Sequence, residues 1–379
     1  MRSRSKLDTD LPGGRSRPSQ ARIAMKATTR PQMILFLRRF LASPKGRWLL
    51  LAAGAGLFFG CLVVISNIEN IVRTVRLPEW NIYRFDCLSP PKRSLSSKET
   101  LYISHNFHPK VGLGNLMFIY ASLWAIAKRS ALKPTINHTK LHDAFRIDLP
   151  AESFFYLSDC NNYVLGMEEC CMYDQRTEHI PQLAPGQNIS LWGYLQSWRY
   201  FHPEFENDIR RQFTFKDEIN RRAEELIQGF RSKSGDKLEG RPTVGIHIRR
   251  GDVTEEASYQ FGHTVPPREY FAHAMDHLKT KGVIDPIYIV CTNDVEWSRQ
   301  NLVGFDIHFV EHEGPYVDLA ILVKMDHLIL TTGTYTFFAG YLSSARNVIY
   351  YKNYPRPGSD FAKQTDLKSF WLPEWIAME

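Results

Sequence analysis

Short apolar runs alternate with longer amphipathic stretches from Val244 to the C-terminus, and this alternation constrains the fold more than any other feature of the sequence. The runs VGIHI, IYIVC, DIHFV, HLILTT and NVIYY have the length and composition of buried strands, and NVIYY is expected to be the last. Helical periodicity lies between them, as in PREYFAHAMDHLKTKG, which has Pro267 near its start and Gly282 at its end. The pattern predicts an α/β fold with a right-handed, doubly wound parallel sheet.

Two arginines follow the first of these strands. Arg249 and Arg250 come directly after Ile248, then Gly251 turns the chain and Asp252 closes the motif HIRRGD. Ligands of open α/β sheets bind just beyond the carboxyl ends of the strands, and a guanidinium fork matches a phosphate bidentately. We therefore interpret the motif as a diphosphate site. The alternative is that Asp252 and a neighbouring carboxylate neutralise both arginines for structural reasons.

Further polar side chains fall at the same predicted edge of the sheet. Asp318 lies at the start of an apolar helix, and Gly333-Thr334 precede a helix that runs from Tyr335 to Leu342. Taken singly, Asp318 and Thr334 are explained as helix caps. Their convergence with the arginines at the carboxyl ends of parallel strands predicts a cleft of nucleotide size.

A glycine turn in the first half of the chain is a second candidate anion site. The run LYIS predicts a strand, and Gly112 and Gly114 then open a stretch of helical spacing in which Asn115 is a candidate cap. Free backbone N–H groups and the positive dipole end of a helix favour an anion at such a place. The alternative is a plain connection between strand and helix.

The aromatic segment LWGYLQSWRYF (191–201) precedes the predicted boundary between two domains. Aromatic faces with polar groups such as Gln196 suit sugar rings, but the composition favours a place in the core. Helical spacing then runs from Asp217 to Phe230 and ends in the polar, glycine-bearing RSKSGDKLEGRP. That break divides the globular part into residues 101–235 and 236–379.

The chain begins with a basic tail and an uncharged apolar run. Residues 1–47 contain 12 Lys and Arg against two Asp, which leaves 35 basic and 38 acidic residues beyond them and argues against nucleic acid as a partner. Trp48–Ile65 carry no charge, which suits a membrane-spanning helix of about 20 residues with its N-terminus in the cytosol. A cleaved signal peptide is the alternative, disfavoured by the long tail and long run. Residues 66–100 are expected to form a stem.

Cysteines and sequons beyond the predicted span suit an oxidising lumen. Five cysteines remain after Cys61, so at least one is free or pairs with another chain, and the adjacent pair Cys170 and Cys171 has no assignable partner. Asn137-His138-Thr139 and Asn188-Ile189-Ser190 are N-glycosylation sequons. No Asp-x-Asp follows the tail and no cysteine spacing suits zinc, so we expect no metal and no other cofactor.

The chain from about Leu101 to Trp375 resembles the α-1,2-fucosyltransferase family of type II Golgi membrane proteins. The resemblance rests on GLGNLMFIYA, FRIDLP, GYLQSW, GIHIRRGD, WSRQNL, DLAIL, TTGTYTFFAGYLSS and LPEW, in this order. Leu116 departs from the family, which usually has Gln after GN, and Phe337 and Phe338 stand where relatives often carry Trp.

This resemblance implies a GT-B-like fold of two Rossmann-like halves with the cleft between them, preceded by one transmembrane helix and a stem. The half at 101–235 is expected to bind the acceptor and the half at 236–379 to bind GDP-fucose. The implied reaction is an inverting, metal-independent transfer of L-fucose from GDP-β-L-fucose to the 2-hydroxyl of a terminal galactose. The protein is expected to be anchored in the Golgi membrane with its catalytic part in the lumen, and a homodimer is left open.

The resemblance also assigns roles to individual residues. Arg249 is expected to hold the β-phosphate of the donor. His247 and Asp318 are expected to contact guanine, and the phosphates are expected to be lined by Thr334, Tyr335 and Thr336. Arg250 and Asp252 are expected to support the loop. Two alternatives are a fucosyltransferase that acts on a core glycan or a protein, and a catalytically silent, membrane-anchored glycan-binding protein.

Overall fold

The computed structural model describes the second, larger part of the chain. The described residues are 100–105, 111–136, 140–149, 163–166, 170–236, 240–304 and 306–379. All of them belong to one compact unit. The predicted tail, span and stem, together with the sequon at Asn137, lie outside these residues. Within the described ranges, no helix is both long enough and apolar enough to cross a membrane.

Two parallel sheets form the framework of the described residues. The first has the strand order β2-β1-β4-β3 and the second has the order β10-β9-β8-β5-β6-β7. The strands are β1 Tyr102–His105, β2 Lys133–Ile136, β3 Tyr163–Gly166, β4 Ile189–Trp192, β5 Thr243–Ile248, β6 Ile287–Thr292, β7 Ile307–Phe309, β8 His327–Leu330, β9 Asn347–Tyr351 and β10 Ile376–Met378. The first sheet ends before residue 236 and the second begins after it, and every strand pairing in both is parallel.

Helices connect the strands, as the alternating pattern predicts for an α/β fold. They are α1 Leu113–Arg129, α2 Lys140–Ala144, α3 Ile180–Leu183, α4 Glu206–Gln212, α5 Asp217–Lys233, α6 Glu256–Phe261, α7 Arg268–Thr280, α8 Val295–Asn301, α9 Pro315–Val323, α10 Thr334–Leu342, α11 Asp360–Lys363 and α12 Leu367–Phe370. Short 3₁₀ turns occur at Gln175–His179, Trp198–Tyr200 and Gly251–Thr254.

Burial explains why the sequence pattern was informative. All six positions of β5 are buried, as expected for a central parallel strand covered on both faces. The helix α5 instead buries Ile219, Ala223, Ile227 and Phe230, a helical spacing that leaves charged residues on the opposite face. The α/β prediction is therefore confirmed for the described residues, whereas the domain boundary after residue 235 stays a prediction.

One strand of the second sheet was not predicted. NVIYY forms β9, but β10 pairs with it in parallel through Ile376–Met378, and Lys352 N donates to Met378 O at 2.8 Å. The expectation that NVIYY is the last strand is wrong. A three-residue run with two partly buried side chains and one exposed side chain is too short to produce a strand pattern in the sequence.

The order of the second sheet places its ligand-binding edge. The chain runs outward from β5 through β6 to β7, and then returns to β8 on the other side of β5. The strand order thus reverses between β5 and β8, which is where open α/β sheets bind ligands. The space beyond the carboxyl ends of these two strands, bordered by Arg249 and Gly333, is called the diphosphate crevice below.

Candidate active site

Arg249 is fixed at the end of β5 by the neighbouring strand. Its backbone N–H donates to Thr331 Oγ1 at 3.0 Å, just after β8. Gly333, two positions after Thr331, has a φ of +93°. A Cβ atom at Gly333 would lie 2.7 Å from Arg249 Nη1. Only glycine combines this backbone conformation with the close approach of the guanidinium. The Arg249 side chain therefore lies against the residue that precedes α10.

The start of α10 adds a second source of positive potential to the diphosphate crevice. Gly333 is the N-cap, and the first intrahelical bond near it runs from Phe337 N to Gly333 O at 3.1 Å. The backbone N–H groups in the first turn of α10, before Phe337, have no carbonyl partner within the helix. The positive end of the helix dipole lies at the same place. A guanidinium beside such a helix N-terminus is suited to an anion.

Asp252 is the counter-ion of Arg249. The Arg249 Nη2 atom lies 2.7 Å from Asp252 Oδ2, and Nε lies 3.4 Å from Oδ1. Partial burial opposes ionisation of Asp252, but the hydrogen bond and charge of Arg249 outweigh it and lower the pKa of this carboxyl. The Asp252 carboxylate thus lies beside the Arg249 guanidinium, as expected if the pair has a structural role. The Nη1 atom of Arg249 faces Gly333 instead.

Arg250 points away from Asp252. Its Nε atom lies 3.2 Å from Asp294 Oδ2, and its guanidinium lies 4.0 Å above the ring centre of Trp297. Its backbone N–H donates to Asn293 Oδ1 at 2.8 Å. Arg250 therefore anchors this loop to the segment after β6, as its supporting role requires. Asp252, the other residue expected to support the loop, pairs with Arg249 instead.

His247 is held neutral at the end of β5. Thr336 Oγ1 donates to Thr332 O at 2.7 Å and lies 2.7 Å from His247 Nδ1, so Nδ1 carries the proton and donates to the hydroxyl. Burial, with Arg249 nearby, lowers the pKa of His247 to about 3. The ring of Tyr335 lies 5.0 Å away, between centroids. A neutral imidazole with Nδ1 protonated leaves Nε2 as a hydrogen-bond acceptor.

Two of the residues assigned to the phosphates have other positions. Thr336 is fully buried and uses its hydroxyl for His247 and Thr332, so it does not line the diphosphate crevice. The Tyr335 side chain turns towards His247, and its hydroxyl donates to Pro315 O at 2.6 Å. Side chains one and two positions after the first residue of a helix point in different directions, which the sequence order alone conceals.

Asp318 is a half-buried carboxylate with unused acceptor capacity. It lies in the first turn of α9, whose N-cap is Gly314, so it is not a capping residue. Burial, with the charge of Glu313, raises the pKa of Asp318 to about 7. Its Oδ1 atom is buried without a hydrogen-bond partner among the described residues. Such an acceptor is ready for the N–H group of a ligand.

A free cysteine lies beside this carboxylate. The Cys291 thiol at the end of β6 lies 3.6 Å from Asp318 O, and burial raises its pKa well above the usual value. It is not a reactive thiolate but part of the apolar wall next to Asp318. No feature of the sequence distinguishes this role from that of a cysteine in a disulfide.

The glycine turn of the first half packs directly against the start of α10. A Cβ atom on Gly114 would lie 2.2 Å from Tyr335 N, whereas one on Gly112 would have no atom within 4 Å. Gly112 is the N-cap of α1, and Asn115 makes no capping bond. The Asn115 Oδ1 atom instead accepts from Thr334 Oγ1 at 2.5 Å and from Gln196 Nε2 at 3.1 Å. The two predicted anion sites are therefore one place.

The residues at which the chain departs from the family pattern lie in the core. Leu116 is buried in α1, and Phe337 and Phe338 are buried in α10. Tyr200 and Phe201 are also fully buried, which confirms the core interpretation of the aromatic segment for these residues. Of these residues, Phe337 and Phe338 pack against Phe118 of α1.

The other residues singled out in the sequence are the sequon at Asn188, the adjacent cysteines and any group that could bind a metal. Asn188 Oδ1 accepts from Tyr102 N at 2.8 Å, which leaves the amide nitrogen of the sequon outside that bond, and its glycosylation stays a prediction. Cys170 and Cys171 form a disulfide with each other. Among the residues that the structure describes, no three His, Cys, Asp or Glu side chains are grouped as a metal site. Metal independence stays a prediction.

Comparisons with known proteins agree with the motifs. A model of glycosyl transferase family 11 matches residues 69–379. Galactoside α-(1,2)-fucosyltransferase 2 from Sus scrofa is 33% identical over 281 residues, which cover 70% of this chain and 77% of that protein. Galactoside α-(1,2)-fucosyltransferase 1 from Rattus norvegicus is 32% identical over 274 residues, which cover 70% of each chain.

Solved structures give weaker similarity. The α-1,6-fucosyltransferase NodZ, co-crystallised with GDP, aligns with a TM-score of 0.45 and 15% identity over 68% of this chain and 96% of that chain. POFUT1 in complex with GDP aligns with a TM-score of 0.41 and 11% identity over 67% of this chain and 99% of that chain. The family assignment rests on the sequence match, which covers most of the chain. The chain belongs to glycosyltransferase family 11.

Proposed function

We propose that the protein transfers L-fucose from GDP-β-L-fucose to the 2-hydroxyl of a terminal galactose on glycans, with inversion, to give an α-1,2 linkage. The observation that carries the proposal is the placement of Arg249 against the N-terminus of α10, at the reversal of strand order. The family 11 match and relatives named galactoside α-(1,2)-fucosyltransferases select fucose and galactose among possible substrates.

The chemistry of this transfer suits the diphosphate crevice. The bond between fucose C1 and the β-phosphate oxygen breaks, and its electron pair leaves with GDP. A new bond forms between C1 and the galactose 2-oxygen, which releases its proton. Negative charge therefore grows on the diphosphate as positive charge grows on the sugar ring. Arg249 and the free N–H groups of α10 are fixed before this charge appears, so they stabilise it without reorganisation.

The pocket beside the crevice suits guanine. A guanine base offers N–H donors on its Watson–Crick edge, and Asp318 Oδ1 is a buried acceptor without a partner among the described residues. His247 Nε2 is a second acceptor, because Nδ1 carries the proton. Adenine lacks this donor pair, so an ionised Asp318 favours a guanine nucleotide over an adenine nucleotide.

The acceptor is assigned to the first half of a GT-B-like arrangement of two Rossmann-like halves. This assignment is supported by the contact of α1 with α10, since Gly114 brings the first half to the edge of the diphosphate crevice. No divalent ion is needed, because Arg249 and the α10 dipole supply the positive charge that such an ion would provide.

We place the catalytic part in the Golgi lumen, behind an uncleaved anchor at Trp48–Ile65. The support is the basic tail followed by 18 uncharged residues. A tag at the C-terminus should resist protease in sealed microsomes, and its digestion there would contradict this topology.

A transfer assay with linkage analysis tests the proposed reaction. The full-length protein is incubated with GDP-fucose and with acceptors that end in galactose, in core N-acetylglucosamine or in a peptide hydroxyl. We expect fucose on the 2-hydroxyl of galactose alone. Fucose on either of the other acceptors would assign a different transferase, and GDP binding without transfer to any acceptor would indicate a silent glycan-binding protein.

A further inference from the structure

Gln196 lies between the glycine turn and the Cys170–Cys171 disulfide, although no substrate role was assigned to it from the sequence. It follows β4 and is 6% exposed. Its backbone N–H approaches Cys170 O at 3.4 Å, and its Nε2 atom donates to Asn115 Oδ1 at 3.1 Å. Asn115 in turn accepts from Thr334, the first residue of α10. We call Gln196, Asn115 and Thr334 the amide relay.

The lone pairs and protons of the Asn115 amide determine which of its groups remain available to a ligand. A carbonyl oxygen has two lone pairs, and Asn115 Oδ1 uses them for Thr334 Oγ1 at 2.5 Å and for Gln196 Nε2 at 3.1 Å. The Thr334 proton is therefore committed to Asn115 and is not available to a phosphate oxygen. The Asn115 Nδ2 group keeps both of its protons as donors beside the start of α10.

Thr334 alone does not determine the orientation of Asn115. A hydroxyl both donates and accepts, so Thr334 satisfies either end of the Asn115 amide. In the structure, Gln196 Nε2 donates to Asn115 Oδ1, so Oδ1 faces Gln196 and Nδ2 faces away. With the amide reversed, an oxygen would face the anionic diphosphate, and the two would repel.

The outer end of Gln196 meets a fixed part of the structure. Its Oε1 atom lies 3.1 Å from Cys171 Sγ, which is bonded to Cys170 and has no proton, so this contact is not a hydrogen bond. Cys171 is itself held to the C-terminal segment, because Asp366 N donates to Cys171 O at 3.0 Å. The hydrogen bond between Gln196 and Asn115 is thus the polar contact that fixes the two amides relative to each other.

We propose that Gln196 is a positioning residue for fucose transfer, which orients the Asn115 amide so that Nδ2 donates to the departing diphosphate. This inference rests on the proposed function, because it assigns the anion at the amide relay to GDP. Gln196 touches neither donor nor acceptor in this account. It acts through Asn115, and its contribution is the fixed orientation of one donor before negative charge develops.

Two substitutions separate the orientation of the amide from the volume of the side chain. Gln196→Met keeps the length but removes the donor, so Asn115 samples both orientations. Gln196→Glu keeps the shape but offers only acceptors when ionised, which turns Asn115 Nδ2 towards position 196. We expect a fall in kcat on the order of tenfold for Gln196→Met and on the order of a hundredfold for Gln196→Glu. The KM for the galactoside should change little.

Gln212→Met is the matched control. Gln212 is also buried in the first half, but its Oε1 accepts from Tyr120 and from Asp148 N. Within the described part of the chain, no hydrogen bond joins Gln212 to the amide relay. We expect lower thermal stability in this variant with unchanged turnover per folded molecule. A double-mutant cycle adds a second criterion: in the Asn115→Ala background, Gln196→Met should have no further effect on kcat.

Calorimetric GDP binding keeps the inference separate from the proposed function. The full-length Gln196→Met protein should bind GDP about tenfold more weakly than the parent, as expected for loss of one oriented, charge-assisted donor. Parent-like GDP binding and turnover in Gln196→Met, or effects that add to those of Asn115→Ala, would overturn the inference. If the parent transfers no fucose, the proposed function fails. In that case, weaker GDP binding by Gln196→Met would still support the amide relay, and unchanged GDP binding by Gln196→Met would still refute it.

Discussion

The carboxyl group of Asp318 should make guanine recognition and stability respond to pH in opposite directions. Its pKa is raised from 3.8 to about 7, chiefly by burial. A carboxyl whose pKa is raised on folding favours the folded state below its unfolded pKa, and this contribution is lost as the pH rises through the folded value. For Asp318, the loss falls between about pH 4 and about pH 7.

The magnitude follows from the size of the shift. A rise of about three pH units corresponds to at most about 4 kcal/mol of unfolding free energy, and solvent screening at a half-buried site reduces this to about 2 kcal/mol. Asp318→Asn removes the ionisable group with little change in shape. We therefore expect this variant to be more stable than the parent by about 2 kcal/mol at pH 8, and to differ little from it near pH 4.

Binding should change in the other direction. The ionised Asp318 accepts N–H groups of guanine, so GDP affinity of the parent should fall as the pH drops below about 7, whereas Asp318→Asn should lack this component. The substitution should also weaken GDP at pH 8 by about tenfold to a hundredfold, because an amide presents one acceptor and one donor to the guanine edge. ADP affinity should change little, since adenine lacks the same donors.

Denaturant unfolding between pH 4 and pH 8, together with calorimetry of GDP and ADP, measures both effects. The phosphate groups of GDP titrate in the same range, and the pH dependence that remains in Asp318→Asn measures their contribution. An Asp318→Asn protein that is less stable than the parent at pH 8, or that still distinguishes GDP from ADP as the parent does, would refute the account of this pocket.

Three other predictions concern packing, the supporting arginine and metal. Gly114→Ala should prevent the approach of α1 to Tyr335 N and abolish transfer. Gly112→Ala should keep near-parent activity, because a Cβ atom there meets no atom within 4 Å. Equal activity in the two variants would refute the packing argument. Arg250→Lys should lose its stacking on Trp297 and lower thermal stability more than turnover per folded molecule, and the reverse pattern would assign it to the substrate. Activity should survive EDTA, and a strict requirement for added manganese after chelation would contradict the charge assignment.

The sequence was most informative where burial forces a periodic pattern. The six buried positions of β5 and the spaced apolar residues of α5 appear directly in the sequence, so their structures were predictable. The short strand β10 has no such pattern, because it gains its place by pairing with β9. Local periodicity reports burial, and it is silent about a strand that depends on a distant partner.

The candidate site was predictable in its location but not in its internal pairing. Arg249 and Gly333-Thr334 were expected at the ends of strands, and Arg249 lies against Gly333 because β5 and β8 end at the same edge of the sheet. Asn115 reaches this edge from α1, through its bond with Thr334. The partner of each side chain depends on rotamers and on contacts across the fold. Which of the two arginines pairs with Asp252, and the use of the Thr336 hydroxyl by His247, therefore had no signal in the motif order.

The central claim is that Arg249 meets the charge that develops on the departing diphosphate. Turnover of folded Arg249→Ala with GDP-fucose and a galactoside acceptor tests it most directly, with Arg268→Ala, an exposed arginine paired to Glu269, as the control. We expect Arg249→Ala to lose a factor of at least about 10²–10³ in rate, and Arg249→Lys to remain strongly impaired because it lacks the guanidinium fork. Arg268→Ala should match the parent. Transfer by folded Arg249→Ala at close to the parent rate would contradict the account.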